Sequence, residues 1–324
     1  MKYCDLNKFV SILAFAIILT MLELTFPFFT ARKVAFAQAS SNSIPSMQSA
    51  STVTQVEDDS LTIDIPERNW RTEGFEGREL TKDIAGKFPA GNFKKRNISK
   101  VEWGVGENLV FSVKYGFYRA GTATMSILPI IDVNGGSCYH IQTKANSNDF
   151  ISKFYKVRDV VNSYLDVDGC FSRRFEKRLR EGKYKSDRIT DFYQDRCLAL
   201  NTKEKHAVTK IPLYVQDVLS SLYYIRTYDL AVGRDEYIDV YADGKVYPLR
   251  VIVHKRETIE VPAGKFKCIK IEPMLKYEGI FKQDGKLTVW ITDDEIKMPV
   301  KMKSKVLIGS IGTVLESYSP GKVD

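Results

Sequence analysis

Histidine is scarce in this chain: three residues in 324, at His140, His206 and His254. No two of them stand at the spacing of a local metal motif, and neither His-x-Glu nor His-Glu-x-x-His occurs, so the sequence calls for no metal. No glycine-rich loop follows a strand pattern and opens a helix, which sets nucleotide use aside. Nucleic-acid recognition motifs are missing and the positive charge is dispersed, so no nucleic-acid partner is expected. Gly309-Ser310-Ile311-Gly312 has the outline of a nucleophile elbow, but it falls between two strand patterns, where a hairpin turn is expected. Asp293-Asp294-Glu295 could offer oxygens to a hard cation; three acids at such a turn read first as a solvated loop. The sequence therefore supplies no catalytic constellation and no cofactor site, and it contains no internal repeat.

What is present is the composition of a packed, β-rich protein: 44% hydrophobic and 12% aromatic, with modest glycine and proline. Net charge is +8, of which Lys2, Lys8, Arg32 and Lys33 against Asp5 and Glu23 account for +2, leaving about +6 on the rest. Such a surface could favour anionic headgroups or polyanions, although ordinary solvated strand faces are the stronger reading.

Lys2 and Lys8 precede an apolar run, Phe9–Leu22, interrupted at Glu23 and resumed to Phe29. Ala35-Phe36-Ala37 then offers a small-x-small cleavage pattern. The expectation is a signal peptide over residues 1–37 and a periplasmic or otherwise exported protein. The alternative is an uncleaved inner-membrane anchor facing the periplasm, since the run approaches the ~20 residues that span a bilayer; membrane contact would then come through the N-terminus. Cys4 lies before the run, so it is not a lipid-attachment cysteine. Residues 38–104 read as a flexible polar leader followed by an irregular, more charged segment. Residues 105–324 read as a single antiparallel β-domain. Nothing in the sequence sets an oligomeric state.

Within that domain, Leu109, Phe111, Val113 and Tyr115 alternate with polar residues, and Asn134-Gly135-Gly136 marks a hairpin before Cys138–Ala145. A strand over Val157–Val167 and two more flanking Glu181-Gly182-Lys183 follow. Later strands read at Glu236–Tyr241, Val246–Arg256, Phe266–Leu275, Leu287–Thr292, Val300–Leu307 and Thr313–Tyr318, with Asp243-Gly244 as another tight turn. One helix stands out: Asp217 caps Val218–Tyr228, with Leu219, Leu222, Tyr223 and Arg226 at helical spacing. The expected fold is mainly β, a curved antiparallel sheet or partly open barrel, with one short helix packed on it or closing it.

Four cysteines follow the leader, Cys138, Cys170, Cys197 and Cys268, an even number suited to an oxidising compartment. A hairpin centred between residues 183 and 184 would set Cys170 opposite Cys197, within disulfide reach. Cys138 and Cys268 read as buried thiols.

Four ordered segments carry a family resemblance: 115–121 (Tyr-Gly-Phe-Tyr-Arg-Ala-Gly), 215–226 (from Val-Gln-Asp to Ile-Arg), 261–268 (Val-Pro-Ala-Gly-Lys-Phe-Lys-Cys) and 290–300 (from Trp-Ile-Thr to Met-Pro-Val). Together they resemble the domain-of-unknown-function family DUF3108, secreted Gram-negative proteins, over roughly residues 105–320. The resemblance implies an exported β-protein and transfers no catalytic residue. The motif residues with structural roles are Gly116, Gly121, Asp217, Ser220, Gly264, Trp290, Asp294 and Pro299. Gly116 and Gly121 suit a turn or bulge, and Ala120 suits close packing.

Function is expected to be non-enzymatic. A hydrophobic or lipid-like envelope component would bind the concave face of the sheet, with Tyr115, Tyr118, Tyr223 and Arg226 as ligand-binding residues. The alternative is an assembly or scaffolding protein working through protein contacts. An envelope hydrolase is the weakest reading; it would need Asp217, Ser220, Arg226 or the 293–295 acids to converge with a histidine.

Overall fold

A computed structural model describes residues 82–94, 96–98, 101–202, 208–277, 280–281, 287–305 and 310–322. The expected signal segment and most of the polar leader lie outside these residues. Among the described residues, helix α1 (Lys82–Lys87) precedes a long meander. Its strands are β1 (Asn108–Tyr115), β2 (Tyr118–Val133), β3 (Gly136–Ser147), β4 (Arg158–Asp166), β5 (Ser172–Glu181), β6 (Tyr184–Tyr193), β7 (Leu198–Asn201) and β8 (Val208–Lys210). A single helical turn, α2 (Asp149–Ser152), joins β3 to β4. A two-residue strand, β9 (Gln216–Asp217), leads into helix α3 (Val218–Ile225). The remaining strands are β10 (Glu236–Ala242), β11 (Lys245–Val261), β12 (Gly264–Tyr277), β13 (Ile280–Phe281), β14 (Leu287–Thr292), β15 (Pro299–Lys305) and β16 (Ser310–Ser319).

The sheet runs β8-β7-β6-β5-β4-β3-β2-β1-β16-β15-β14-β12-β11-β10-β9, with β13 attached to β12. Its strands pair antiparallel throughout except β9 with β10. The expected mainly β fold is the fold observed, an open and strongly curved sheet with a short helix inside it. The turns follow from local chemistry. Asn134-Gly135 and Asp243-Gly244 both take left-handed φ (49° and 72°; 45° and 83°), as a two-residue hairpin turn matched to strand twist requires. Gly116 does the same at φ 57° between Tyr115 and Tyr118. Register then slips: Val113 faces Gly121 while Lys114 faces Arg119, leaving Ala120 as the extra, buried residue of a bulge. A Cβ on Gly121 would lie 2.1 Å from the Asn146 carbonyl oxygen, so the β2–β3 approach there admits only glycine.

The margins of the sheet do not close by a ladder. They overlap, and side chains hold the overlap. Tyr241 of β10 meets Phe192 of β6 edge-on at 5.3 Å. The Arg188 guanidinium donates to Asp243 at 2.6 Å, and the Thr209 hydroxyl donates to the Gly244 carbonyl at 3.1 Å. Among the described residues one backbone bond, Ser172 N–H to the Val215 carbonyl at 3.2 Å, crosses the seam.

The segment before β1 is a strap over one end of the sheet. Ile84 packs with Leu198, Leu200 and Val208. Arg196 donates to the Ala85 and Phe88 carbonyls at 3.2 and 2.7 Å. Arg96 lies between the rings of Tyr214 and Tyr224, at 4.6 and 4.5 Å, and donates to the Gly169 and Cys170 carbonyls. Trp103 is buried in the main core.

The Cys170–Cys197 bridge does not form: Cys138, Cys170, Cys197 and Cys268 are all free thiols. The hairpin turns on Gly182-Lys183, with Glu181 opposite Tyr184 and Arg174 opposite Asp191, so its centre lies one residue earlier than a 170–197 pairing needs. The ladder also stops short of both cysteines, each of which takes left-handed φ outside the strands. Burial pushes the Cys138 and Cys170 thiols up to about 12 and Cys268 up to about 11, which keeps them protonated and unreactive.

Candidate functional site

The polar interior is organised around α3. Asp217 stands where an N-cap is required, in extended conformation (φ −81°, ψ 175°), and its carboxylate accepts from the amides of Leu219 and Ser220 at 2.8 Å each. The second carboxylate oxygen accepts from the hydroxyls of Ser163 on β4 (2.6 Å) and Ser172 on β5 (2.5 Å). One buried side chain thus starts the helix and ties it to the sheet. Burial raises the Asp217 pKa, against the opposing pull of those four hydrogen bonds. Ser220 donates back to the Asp217 carbonyl and Ser221 to the Val218 carbonyl, so both hydroxyls are spent within the first turn.

At the other end of α3, Arg226 is wholly buried and forms a fork with Glu107, Nη1 to Oε1 at 2.9 Å and Nη2 to Oε2 at 2.6 Å. Its Nε donates to the Ile296 carbonyl at 3.1 Å. The guanidinium also faces the rings of Tyr223 (4.9 Å) and Trp103 (5.7 Å). Burial works against its charge, but the adjacent Glu107 carboxylate prevails and the Arg226 pKa rises. Burial and then Glu107 raise the Tyr223 phenol well above the ordinary tyrosine range.

The four residues expected to bind a ligand are not gathered in one place. Tyr223 and Arg226 are enclosed together at 0% and 2% exposure, whereas Tyr118 is 79% exposed beside the β1–β2 turn. Tyr115 sits half-buried at the end of β1. The remaining motif residues have local work. Gly264, at φ 137°, follows the Pro262-Ala263 turn. Trp290 donates to Glu257 at 2.9 Å, and its ring lies beneath Lys270 and Lys301 on the flanking strands, at 5.8 and 5.1 Å. Asp294 accepts from the Thr292 hydroxyl and the Lys297 amide, shaping the turn that Pro299 ends as β15 begins. Asp293 pairs with Arg256 at 2.9 Å.

The described histidines stand elsewhere. His140 stacks on Tyr164 (4.7 Å) and meets Asn162; His254 meets Glu272 at 2.8 Å. His206 lies outside the described residues, as does Gly309 of the elbow-like run. Among the described residues no three His, Cys, Asp or Glu side chains group as metal ligands.

A buried pair of carboxyl groups, Asp159 and Glu181, had no signal in the sequence. Glu181 is pushed up to about 7, first by burial, then by the charge and hydrogen bond of Asp159, against Lys177. Asp159 is raised too, mainly by burial. A folded-state value above the unfolded one means that Glu181 favours the fold fully below about pH 4.5, its ordinary value, and loses that contribution as pH rises through about 7. Glu181→Gln is expected to flatten the fall in stability between these two values, as read from urea midpoints across that range. A parent and variant with parallel pH profiles would remove Glu181 as the cause.

The sequence profile of DUF3108, described as a protein of unknown function, matches residues 110–316. No curated protein matches the sequence. Similar solved structures include a β-barrel-like DUF1849 protein from Brucella abortus, at 9% identity and TM-score 0.48, covering 68% of this chain and all of the other. A candidate lipoprotein from Parabacteroides distasonis aligns at 11% identity and TM-score 0.32, over 70% of this chain and all of its own. A candidate exported protein with a YmcC-like fold from Bacteroides fragilis aligns at 11% and 0.27, over 68% of this chain and all of its own.

Proposed function

The chain belongs to the DUF3108 family, and from that premise we propose that it is an exported, non-enzymatic envelope protein that works by contacts on its outer surface. One observation carries this reading: every residue of α3 except Tyr224 is buried, so the concave side of the sheet holds the chain's own helix. The charged groups at its two ends are tied to structural partners, Asp217 to four donors and Arg226 to Glu107 and Ile296. Export rests on the Ala35-Phe36-Ala37 pattern behind the N-terminal apolar run.

Protease treatment of spheroplasts from the native host tests export: digestion before lysis is expected, and digestion only after lysis would overturn it. Native mass spectrometry of the purified protein tests the surface-acting part. A bare chain mass is expected. A stoichiometric hydrophobic adduct, retained in detergent, would restore the concave face as the working site.

A further inference from the structure

Among the described residues twelve large hydrophobic side chains are notably exposed, and five gather at one end of the sheet: Phe117, Tyr118, Phe150, Phe154 and Tyr184. They occupy or flank three alternate connections, β1–β2, β3–β4 and β5–β6, which an antiparallel meander delivers to the same end. Phe117 is fully exposed at the tip of its turn, Phe154 is 72% exposed and Phe150 67%. The two latter rings stack edge-on at 5.6 Å in solvent.

The three connections are bonded to one another. Asn148 donates from its side-chain amide to the Arg119 carbonyl at 2.7 Å and from its backbone to Ala120 at 2.9 Å. The Gly182 amide donates to the Lys156 carbonyl at 2.8 Å, and the Tyr155 ring lies so close over Gly182 that a Cβ there would sit 2.8 Å from it. The aromatics therefore stand on a fixed platform.

Charge selects what the platform meets. Over residues 114–119, 148–156 and 182–185 the cations are Lys114, Arg119, Lys153, Lys156, Lys183 and Lys185, and the one carboxylate within these stretches is Asp149; Arg119 is paired with Glu316 of the last strand at 2.8 Å, which leaves the five lysines as the surplus. All five lysines are exposed. Aromatic side chains projecting from a ring of cations match the bilayer interface, where rings sit at headgroup depth and lysines meet anionic lipid. We propose that this end of the sheet docks on an anionic phospholipid surface, with Phe117, Phe150 and Phe154 entering the headgroup layer. The proposal rests on the exported, surface-acting reading for its setting only.

The test is hydrogen exchange on the full chain with vesicles of phosphatidylglycerol and phosphatidylcholine. If the N-terminal apolar run inserts, it tethers parent and variants alike, so local protection is the readout. Slowed exchange is expected at 114–119, 148–156 and 182–185, with no change at the opposite-end turns 134–135 and 262–263. Phe117→Ser/Phe150→Ser/Phe154→Ser should abolish the protection without touching the core, because these rings make little of it. Each of Lys114→Glu, Lys153→Glu and Lys183→Glu should weaken it about five-fold or more, from the roughly 1 kcal/mol that a lysine contributes near an anionic membrane. Equal protection at both ends, none at the three turns, or undiminished protection on pure phosphatidylcholine would overturn the proposal. So would protection seen only with lipid-free envelope protein, which would assign the platform to a protein partner. Failure here with successful spheroplast digestion removes the docking surface alone; failed digestion removes export and leaves the vesicle result to stand by itself.

Discussion

Glu107→Ala is expected to destabilise the protein by about 3–5 kcal/mol, the usual result of leaving one member of a buried ion pair without its partner. Both side chains are withdrawn from solvent, at 0% exposure for Arg226 and 3% for Glu107. The Ile296 carbonyl and two aromatic faces cannot replace a carboxylate that accepts two of the guanidinium's hydrogen bonds. The pair as a whole has a different standing. Its attraction mainly offsets the desolvation of both groups, so removing both at once should cost far less than removing one. Glu107→Leu/Arg226→Met is therefore expected to recover most of the loss, and urea midpoints for the three proteins decide the matter. A single variant within about 1 kcal/mol of the parent would contradict the burial argument.

Asp217→Ala should cost about 4 kcal/mol, summing a lost helix cap with two buried serine hydroxyls deprived of their acceptor. Asp217→Asn should cost much less. Its amide oxygen still receives Leu219 and Ser220, and its NH₂ can donate to Ser163 and Ser172 once their hydroxyls rotate. The pH dependence separates the two variants further. Because burial raises the folded-state pKa of Asp217, the ionised carboxylate is the less favourable form. Its contribution is complete below the unfolded value and declines as pH rises through the folded one. Measured by denaturation, Asp217→Asn should compare best with the parent at neutral pH and worse in acid. An Asn variant as damaged as the Ala variant at neutral pH would show that charge, rather than hydrogen bonding, holds the node.

Much of this was written locally. Asp217 followed by Leu219, Leu222 and Tyr223 specifies a capped helix with its apolar side inward, and the structure starts α3 there. Asn134-Gly135 and Asp243-Gly244 demand the turns they make. Tertiary pairing was not local. Alternation marks a strand without naming its neighbour, and Glu107 finds Arg226 across 119 positions. Neither residue signals a charged partner in its own surroundings. The disulfide expectation failed for a similar reason: a one-residue difference in turn length moves every cross-strand partner, and the chain leaves the ladder before reaching either cysteine. The exposed phenylalanines were readable only as aromatics. That three connections hold them at one end follows from the meander, which the sequence implies, and from the bonds of Asn148 and Lys156, which it does not.

The position of the last strand governs how the chain can be assembled. β16 is inserted between β1 and β15, in the middle of the sheet order rather than at a margin. Its residues Ile311 and Ser319 pair with Tyr115 and Asn108, the two ends of β1. A chain emerging from its N-terminus, in the cell or through a translocation pore, must hold β1 with one side unpaired until nearly all of it has arrived. Closure of so long a loop is slow, and the early segments stay uncommitted until then. Truncation at the C-terminus would accordingly split the sheet through its centre, uncovering two edges at once, where loss of a marginal strand would only have shortened it.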